Sequence, residues 1–293
     1  MKNFGNFLNI APQYSQFKKS KAVITPFSYE ASTSYKTGAK YGPKAIISAS
    51  SQVELFDEEL KKEVYKRVGV CTITEPKPKR GDNFYLPLSK KINEIISLNK
   101  FPVILGGEHT IAFGALMGVK EVYKNFSVLH FDAHADLRDS FEGNKFSHSC
   151  VMRRAQELKE VKNIVQVGIR NISNEKKEGS EFDFFKKNPQ QIKIFWAKDK
   201  NNWKINDILN NLAKDVYLTF DVDVFDPSIM PSTGTPEPGG LYWQEVLDIL
   251  KQVFLKKNII AADVVELCPI KNFPAPDFMT AKLIYKMIGY KFL

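Results

Sequence analysis

The sequence predicts an α/β protein built on a mostly parallel sheet that is covered by helices on both faces. Two observations carry this expectation. Short apolar, strand-like segments recur along the chain with stretches long enough for helices between them, and several of these segments run directly into clusters of acidic residues and histidine. The first is the alternation a parallel sheet needs, because each crossover to a parallel neighbour takes a dozen or more residues. The second puts charge at the carboxyl ends of strands, where open α/β sheets keep their sites.

The strand-like segments are KAVITPF (21–27), RVGVCTI (67–73), FPVILGG (101–107), FSVLHFD (126–132), NIVQVGI (163–169), IKIFWA (192–197), VYLTFDVD (216–223) and NIIAADVVEL (258–267). Each is short, rich in β-branched and aromatic residues, and bounded by polar or turn-forming residues. Between them, PKAIISASSQ (43–52), LSKKINEIISL (88–98), HSCVMRRAQEL (148–158), WQEVLDILKQVF (243–254) and APDFMTAKLIYKMIG (275–289) are the segments that suit helices. No low-complexity linker divides the chain, so one domain spanning residues 1–293 is expected.

Composition narrows the function classes. No run of about 18 apolar residues is present, and the amino-terminal MKNFGNFLNIAPQYSQFKKSK lacks the ordered parts of a signal peptide, so a soluble cytoplasmic protein without a membrane partner is expected. The net charge of +9 raises the question of nucleic acid. Its lysines, however, lie in short groups such as KPKR and EKKEG, mixed with acids and without the arginine and aromatic patterns of RNA readers, so no nucleic-acid partner is expected. The 3 cysteines, Cys71, Cys150 and Cys268, are far apart and form no CxxC pair, which supports neither a disulfide framework nor a zinc finger.

The chemistry is concentrated in four clusters. GGEHT follows FPVIL, DAHAD follows SVLHF, DVDVFDP follows VYLTF and ELCP follows ADVV. Parallel strands bring their carboxyl ends to one edge, so one site assembled from four segments is the economical reading. All 4 histidines, His109, His130, His134 and His148, fall within residues 109–148. His109, His134 and His148 stand at strand ends or in the loops beyond, whereas His130 precedes Phe131 inside a strand and reads as a core residue. Asp226, just before Pro227, reads as a turn or loop cap.

Two carboxylates about 4 Å apart repel by roughly 4 kcal/mol at an effective dielectric near 20, so the acidic clusters require a cation or raised pKa values. His109, Asp132, His134, Asp136, Asp221 and Asp223 make six candidate ligands, more than a mononuclear hydrolase site usually takes. Four aspartates carry about −4, which two divalent ions would neutralise. Oxygen-rich ligation with two imidazoles and no thiolate suits Mn²⁺, with Fe²⁺, Co²⁺ and Zn²⁺ as alternatives. A pair of such ions lowers the pKa of a water held between them, which is hydrolytic chemistry. The loop TGTPEPGG (233–240) has no Lys-Ser/Thr continuation of a phosphate-binding loop and reads as a rigid wall of a substrate funnel.

Taken together, GGEHT, FDAHADLRD, FSHSCVMRRA, TFDVDVFDPSIMPSTGTPEPGGL and ADVVELCP, with TSYKTGAKYGPKAI near the start, resemble the arginase and agmatinase ureohydrolases over nearly the whole chain. The resemblance implies a three-layer α/β/α fold with an eight-stranded, mostly parallel sheet. It implies two Mn²⁺ per subunit, one held by His109, Asp132, Asp136 and Asp221, the other by Asp132, His134, Asp221 and Asp223. The implied reaction is attack of a metal-bridging hydroxide on the carbon of a small guanidino substrate. Asp136 would orient the hydroxide, Glu266 would pair with the guanidinium, and His148 would move protons near the leaving amine. A homo-oligomer, trimer or hexamer, is also implied.

The segment LRDSFEGNKF (137–146) lacks the asparagine- and threonine-rich pattern with which arginases read the amino-acid end of arginine. Agmatine, giving putrescine and urea, is therefore the first substrate expected, followed by N1-aminopropylagmatine, giving spermidine. Guanidinobutyrate, arginine and formimidoylglutamate are the further alternatives, because GGEHT and FSHSCVMRR depart from the commoner family patterns. Two other classes compete: a one-zinc deacetylase of similar architecture, and a non-catalytic metal-binding protein.

Overall fold

The computed structural model describes residues 5–177 and 179–292. The first four residues of the amino-terminal stretch and Glu178 of the EKKEG group lie outside the described residues. The strands are β1 (Ala22–Phe27), β2 (Phe56–Asp57), β3 (Lys62–Glu63), β4 (Val70–Thr72), β5 (Phe101–Gly106), β6 (Phe126–Phe131), β7 (Val161–Ile169), β8 (Ile192–Trp196), β9 (Asp215–Asp221) and β10 (Asn258–Val265). Strands β2 and β3 form a small antiparallel pair, and the other 8 form one sheet in the order β4-β1-β5-β10-β9-β6-β7-β8. Every pairing in that sheet is parallel, where the sequence suggested mostly parallel.

Alternation along the strands divides the core into two layers. On one face Ile24, Val103, Leu105, Leu129, Phe131, Leu218, Phe220 and Val264 pack with apolar residues of the helices Gly42–Ser50, Trp243–Lys256 and Ala275–Phe292. On the other, Val23, Ile104, Val128, Ile164 and Tyr217 pack with the helices Leu86–Ser97, Ile111–Val122 and Val151–Gln156. Successive strand residues point to opposite faces, so strands covered on both sides read as continuous apolar runs. The result is helices, sheet and helices in three layers. Among the described residues no helix is long and apolar enough to cross a membrane.

The sheet order decides where the site can be. The four strands that carry polar clusters, β5, β10, β9 and β6, are the four central neighbours of the sheet. Their carboxyl ends lie side by side, although GGEHT and ELCP are separated by more than half the chain.

Two local expectations are corrected. The segment 67–73 is strand only over Val70–Thr72, because Val64–Val68 is helical and Gly69 turns the chain at φ +67 with a Cβ position only 2.9 Å from the Ser20 backbone. The segment 216–223 does not extend through Asp223. Strand β9 ends at Asp221, whose side chain accepts from the amide of Asp223 at 2.8 Å and starts a short 3-10 turn over Val222–Val224.

Candidate metal centre

Six side chains converge at the edge formed by β5, β6, β9 and β10. Asp132 is the first residue past β6, and each of its oxygens is engaged by a protein donor. Oδ1 accepts from the His134 amide at 2.5 Å, and Oδ2 accepts from His130 Nε2 at 2.7 Å. Oδ2 also lies 3.0 Å from His109 Nδ1, while Oδ1 lies 3.5 Å from His134 Nδ1. Asp132 thus spans two histidine-carboxylate groups. In the first, His109 Nδ1 is 3.1 Å from Asp136 Oδ2 and 3.5 Å from Asp221 Oδ2; in the second, His134 Nδ1 is 2.9 Å from Asp223 Oδ2.

The environment of His109 tests whether cations fit. Thr219 Oγ1 donates to Asp263 at 2.7 Å, so its oxygen receives the proton on His109 Nε2 at 2.8 Å, and Asp263 also accepts from the Tyr217 hydroxyl. With its proton on Nε2, a neutral His109 turns the lone pair of Nδ1 toward three carboxylates. That nitrogen is buried and makes no hydrogen bond of acceptable geometry. A lone pair set among anionic oxygens is repulsive until a cation stands between them or a proton is taken up. The donor set suits divalent ions that accept oxygen and imidazole. Cys150, whose thiol burial pushes up to about 12, offers no thiolate.

The electrostatics without cations point the same way. Burial pushes Asp136 up to about 7, assisted by the charge of Asp132. Asp221 is raised well above the carboxylate range by burial, then by Asp223 and Asp132. Burial opposes protonation of His109, but Asp132, Asp136 and Asp221 outweigh it and raise its pKa well above the ordinary value. His134 is raised against its own burial by Asp223 and Asp132. The cluster holds protons where cations would otherwise stand.

Asp136 and Glu266 share a backbone feature the sequence did not disclose. Their φ angles are +53 and +64, in the left-handed region that non-glycine residues enter rarely. Such conformations cost on the order of 1 kcal/mol or more and persist where surroundings over-determine them. The amides of Met152 and Arg153 bond to the carbonyl of Asp136, and the Glu266 amide bonds to the carbonyl of Gly107. Glu266 Oε1 accepts from the His109 amide at 2.7 Å, and the carboxylate lines the same pocket as the histidine-aspartate cluster. Burial raises its pKa well above the ordinary range, with the charge of Glu108 adding to it.

His148 lines the same pocket. Its amide donates to Ser32 Oγ at 3.0 Å, and its Nδ1 lies 3.2 Å from that oxygen and 3.3 Å from Ser147 Oγ. Burial, then the positive charge of His134 and His109, holds its pKa down to about 4, so it is neutral near pH 7. His130 stays inside β6 as a core residue, and Asp226 is a loop pin. The Asp226 carboxylate accepts from Ser228 and from the amides of Gly239 and Gly240, and the Ser228 hydroxyl leads the effects that bring its pKa to about 2.

Three supporting side chains were missed by the sequence reading. Glu108 is fully buried, and its Oε2 accepts from the amides of Ala31 and Ser32 at 2.7 Å, tying down the loop whose residues 33–36 line the pocket. Arg170 donates to the carbonyls of Asp223 and Glu237 at 2.7 Å each, joining the DVD turn to the loop 233–240. Glu181 accepts from the amides of Leu137 and Ser173 beneath the DAHAD loop. Only Arg170 left a signal, a lone arginine immediately after β7.

Comparison with known proteins agrees over most of the chain. A family model described as the arginase family matches residues 20–289. The N(1)-aminopropylagmatine ureohydrolase of Synechocystis sp. is 36% identical over 286 residues, covering 94% of this chain and 90% of that protein. The agmatinase of Halalkalibacterium halodurans is 31% identical over 261 residues, covering 87% of this chain and 86% of that protein. Among solved structures, the agmatine ureohydrolase of Thermoplasma volcanium superposes with a TM-score of 0.81 at 26% identity, covering 94% of this chain and 92% of that one. The sheet of eight parallel strands, the histidine-aspartate cluster at its central edge and these likenesses lead to one conclusion: the chain belongs to the arginase family and is a ureohydrolase.

Proposed function

We propose that the protein hydrolyses a guanidine carried on an amine-bearing chain, agmatine or N1-aminopropylagmatine, using two Mn²⁺ per subunit. The observation that carries the metal reading is the Nδ1 lone pair of His109, buried among Asp132, Asp136 and Asp221. His109, Asp132, Asp136 and Asp221 would hold one ion, and Asp132, His134, Asp221 and Asp223 the other, with Asp132 and Asp221 shared. Two divalent ions there would supply a water acidic enough to act as hydroxide near neutral pH.

The chain's own groups account for the rest. Glu266 pairs with the guanidinium, a charge-assisted contact that brings its carboxylate into the ionised state and orients the guanidinium carbon toward the cluster. Asp136 accepts a hydrogen bond from the attacking water and orients it. His148, neutral and on the pocket wall, takes up a proton released by the attacking water and passes it to the departing amine, a role worth about 10²–10⁴ in rate. Glu237, whose Oε1 accepts from Asn171 at 2.6 Å, faces the outer pocket and suits an ammonium at the far end of the substrate.

Relatives named for agmatine and for its aminopropyl derivative support this substrate class, and the higher identity to the latter favours the longer chain. A second reading has its own support. Arg138 and Lys36 also line the pocket, and a tail ending in carboxylate, as in guanidinobutyrate, would suit them. Manganese titration should saturate at two ions per chain, and Asp221→Asn should abolish urea release. Binding of two ions with no turnover of any guanidine would favour the non-catalytic alternative. We further propose a homo-oligomer, which sedimentation at monomer mass would overturn.

A further inference from the structure

His130 is not one of the proposed ligands, yet both of its ring nitrogens are engaged at the edge of the metal cluster. It pairs in the sheet with Gln166 of β7, and both residues are fully buried. Gln166 Nε2 lies 2.7 Å from the carbonyl oxygen of Ala135 and 2.8 Å from His130 Nδ1. A carbonyl oxygen can only accept, so the atom facing it is the amide nitrogen, and its two hydrogens go to Ala135 and to the ring. His130 Nδ1 is therefore an acceptor, and the ring carries its hydrogen on Nε2. That hydrogen is donated to Asp132 Oδ2 at 2.7 Å. His130 is close enough to His109, Asp132 and Asp136 to be taken for a fifth donor to a cation, but a nitrogen that carries a proton has no lone pair to give.

We infer that His130, locked in one tautomer by Gln166, is the positioning residue that fixes the carboxylate of Asp132 for sharing between two cations. The inference rests on the two-metal reading. One donor holds each oxygen of Asp132, the His134 amide on Oδ1 and His130 on Oδ2. Each oxygen keeps a lone pair on its own side of the site, Oδ2 toward His109 and Oδ1 toward His134. Without the His130 donor the carboxylate can rotate toward whichever histidine attracts it more, and the shared geometry is lost. The Ala135 contact adds a second function, because the same Gln166 amide that sets the tautomer also ties down the DAHAD loop.

The test is Mn²⁺ binding to metal-free protein, followed by calorimetry. His130→Phe keeps a ring of similar shape without a donor, and His130→Gln places an amide N–H near the position of Nε2. The inference expects Mn²⁺ dissociation constants raised about 10–100-fold in the first, as losing an outer partner of a ligand typically does, and returned to within a few-fold of the parent in the second. Metal-free melting temperatures separate this from a fold defect. Parent-like affinity in His130→Phe, or no recovery in a folded His130→Gln, overturns the inference alone. If His130→Phe does not fold, Gln166→Leu decides: weakened Mn²⁺ binding supports the relay and unchanged binding overturns it. A parent chain that binds no divalent ion sinks the two-metal reading and this inference with it.

Discussion

The hydroxyl of Ser32 lies 3.0 Å from Oε1 of Glu108, and the same serine receives the amide of His148 at 3.0 Å. One buried carboxylate next to a proposed metal ligand therefore holds the loop that follows β1 and, through it, the proposed proton carrier His148. Glu108→Asp, one methylene shorter, should pull back from the Ala31 and Ser32 amides. Faster hydrogen exchange at those amides is expected, with kcat/KM for the preferred guanidine lowered about tenfold, equivalent to about 1.4 kcal/mol. Unchanged exchange would show that the loop is held by other contacts.

Glu266→Gln tests guanidinium pairing separately from metal binding. The amide keeps the shape and an oxygen acceptor for the His109 amide, but removes the negative charge that meets the substrate. Two Mn²⁺ should still bind, while kcat/KM falls about 100-fold or more, in the range for loss of a partner to a charged group. Retained activity would move the guanidinium contact to another carboxylate.

Cation removal should both silence and destabilise the protein. Chelation is expected to stop urea release, and restoring Mn²⁺ at about 100 times its dissociation constant should return activity and add about 2.7 kcal/mol of stability per site. A melting temperature indifferent to Mn²⁺ would contradict binding at the cluster.

Away from the site, Lys286 of the last helix reaches Asp57 at 3.0 Å, both side chains being almost wholly buried. Lys286→Met leaves Asp57 without its charge partner and should cost about 3–5 kcal/mol, read by denaturant unfolding. The acids nearby set a pH dependence. Hydrogen bonding from Lys286 leads the effects that hold Glu58 down to about 2; Glu59 is also brought to about 2, with burial opposing and Lys251, Tyr290 and Lys286 prevailing. Their folded values lie below the ordinary 4.5, so the unfolded chain takes up protons first as pH falls. The stabilisation is complete above about 4.5 and is lost as pH drops through about 2. The Glu58 side chain is 66% exposed and that of Glu59 29%, so solvent screening keeps the effect small, and Glu59→Gln should flatten the slope of melting temperature against pH.

The strands and the site were legible in the sequence for related reasons. Segments such as FPVIL and SVLHF are buried on both faces and end abruptly in charge, which marks both the strand and its functional end. The helix Ile111–Val122 was missed because it is apolar almost all round, so no amphipathic period shows. Gly114 and Gly118 allow it to lie against the helix Leu86–Ser97, where an added Cβ would come within 2.8 Å of Tyr85 and 2.5 Å of the Ser89 carbonyl. The DVD turn was misread as strand because alternation suits a strand and a capped turn equally. Glu108 and Glu181 were unreadable because their partners are backbone amides, which leave no trace in side-chain patterns.

The central claim is tested most directly by urea release from the manganese-loaded protein, with agmatine, N1-aminopropylagmatine, arginine and guanidinobutyrate compared under identical conditions. The proposed function predicts that one of the two amine-tailed guanidines has the highest kcat/KM, with arginine far below. Urea from none of the four, with two Mn²⁺ per chain confirmed, would contradict it.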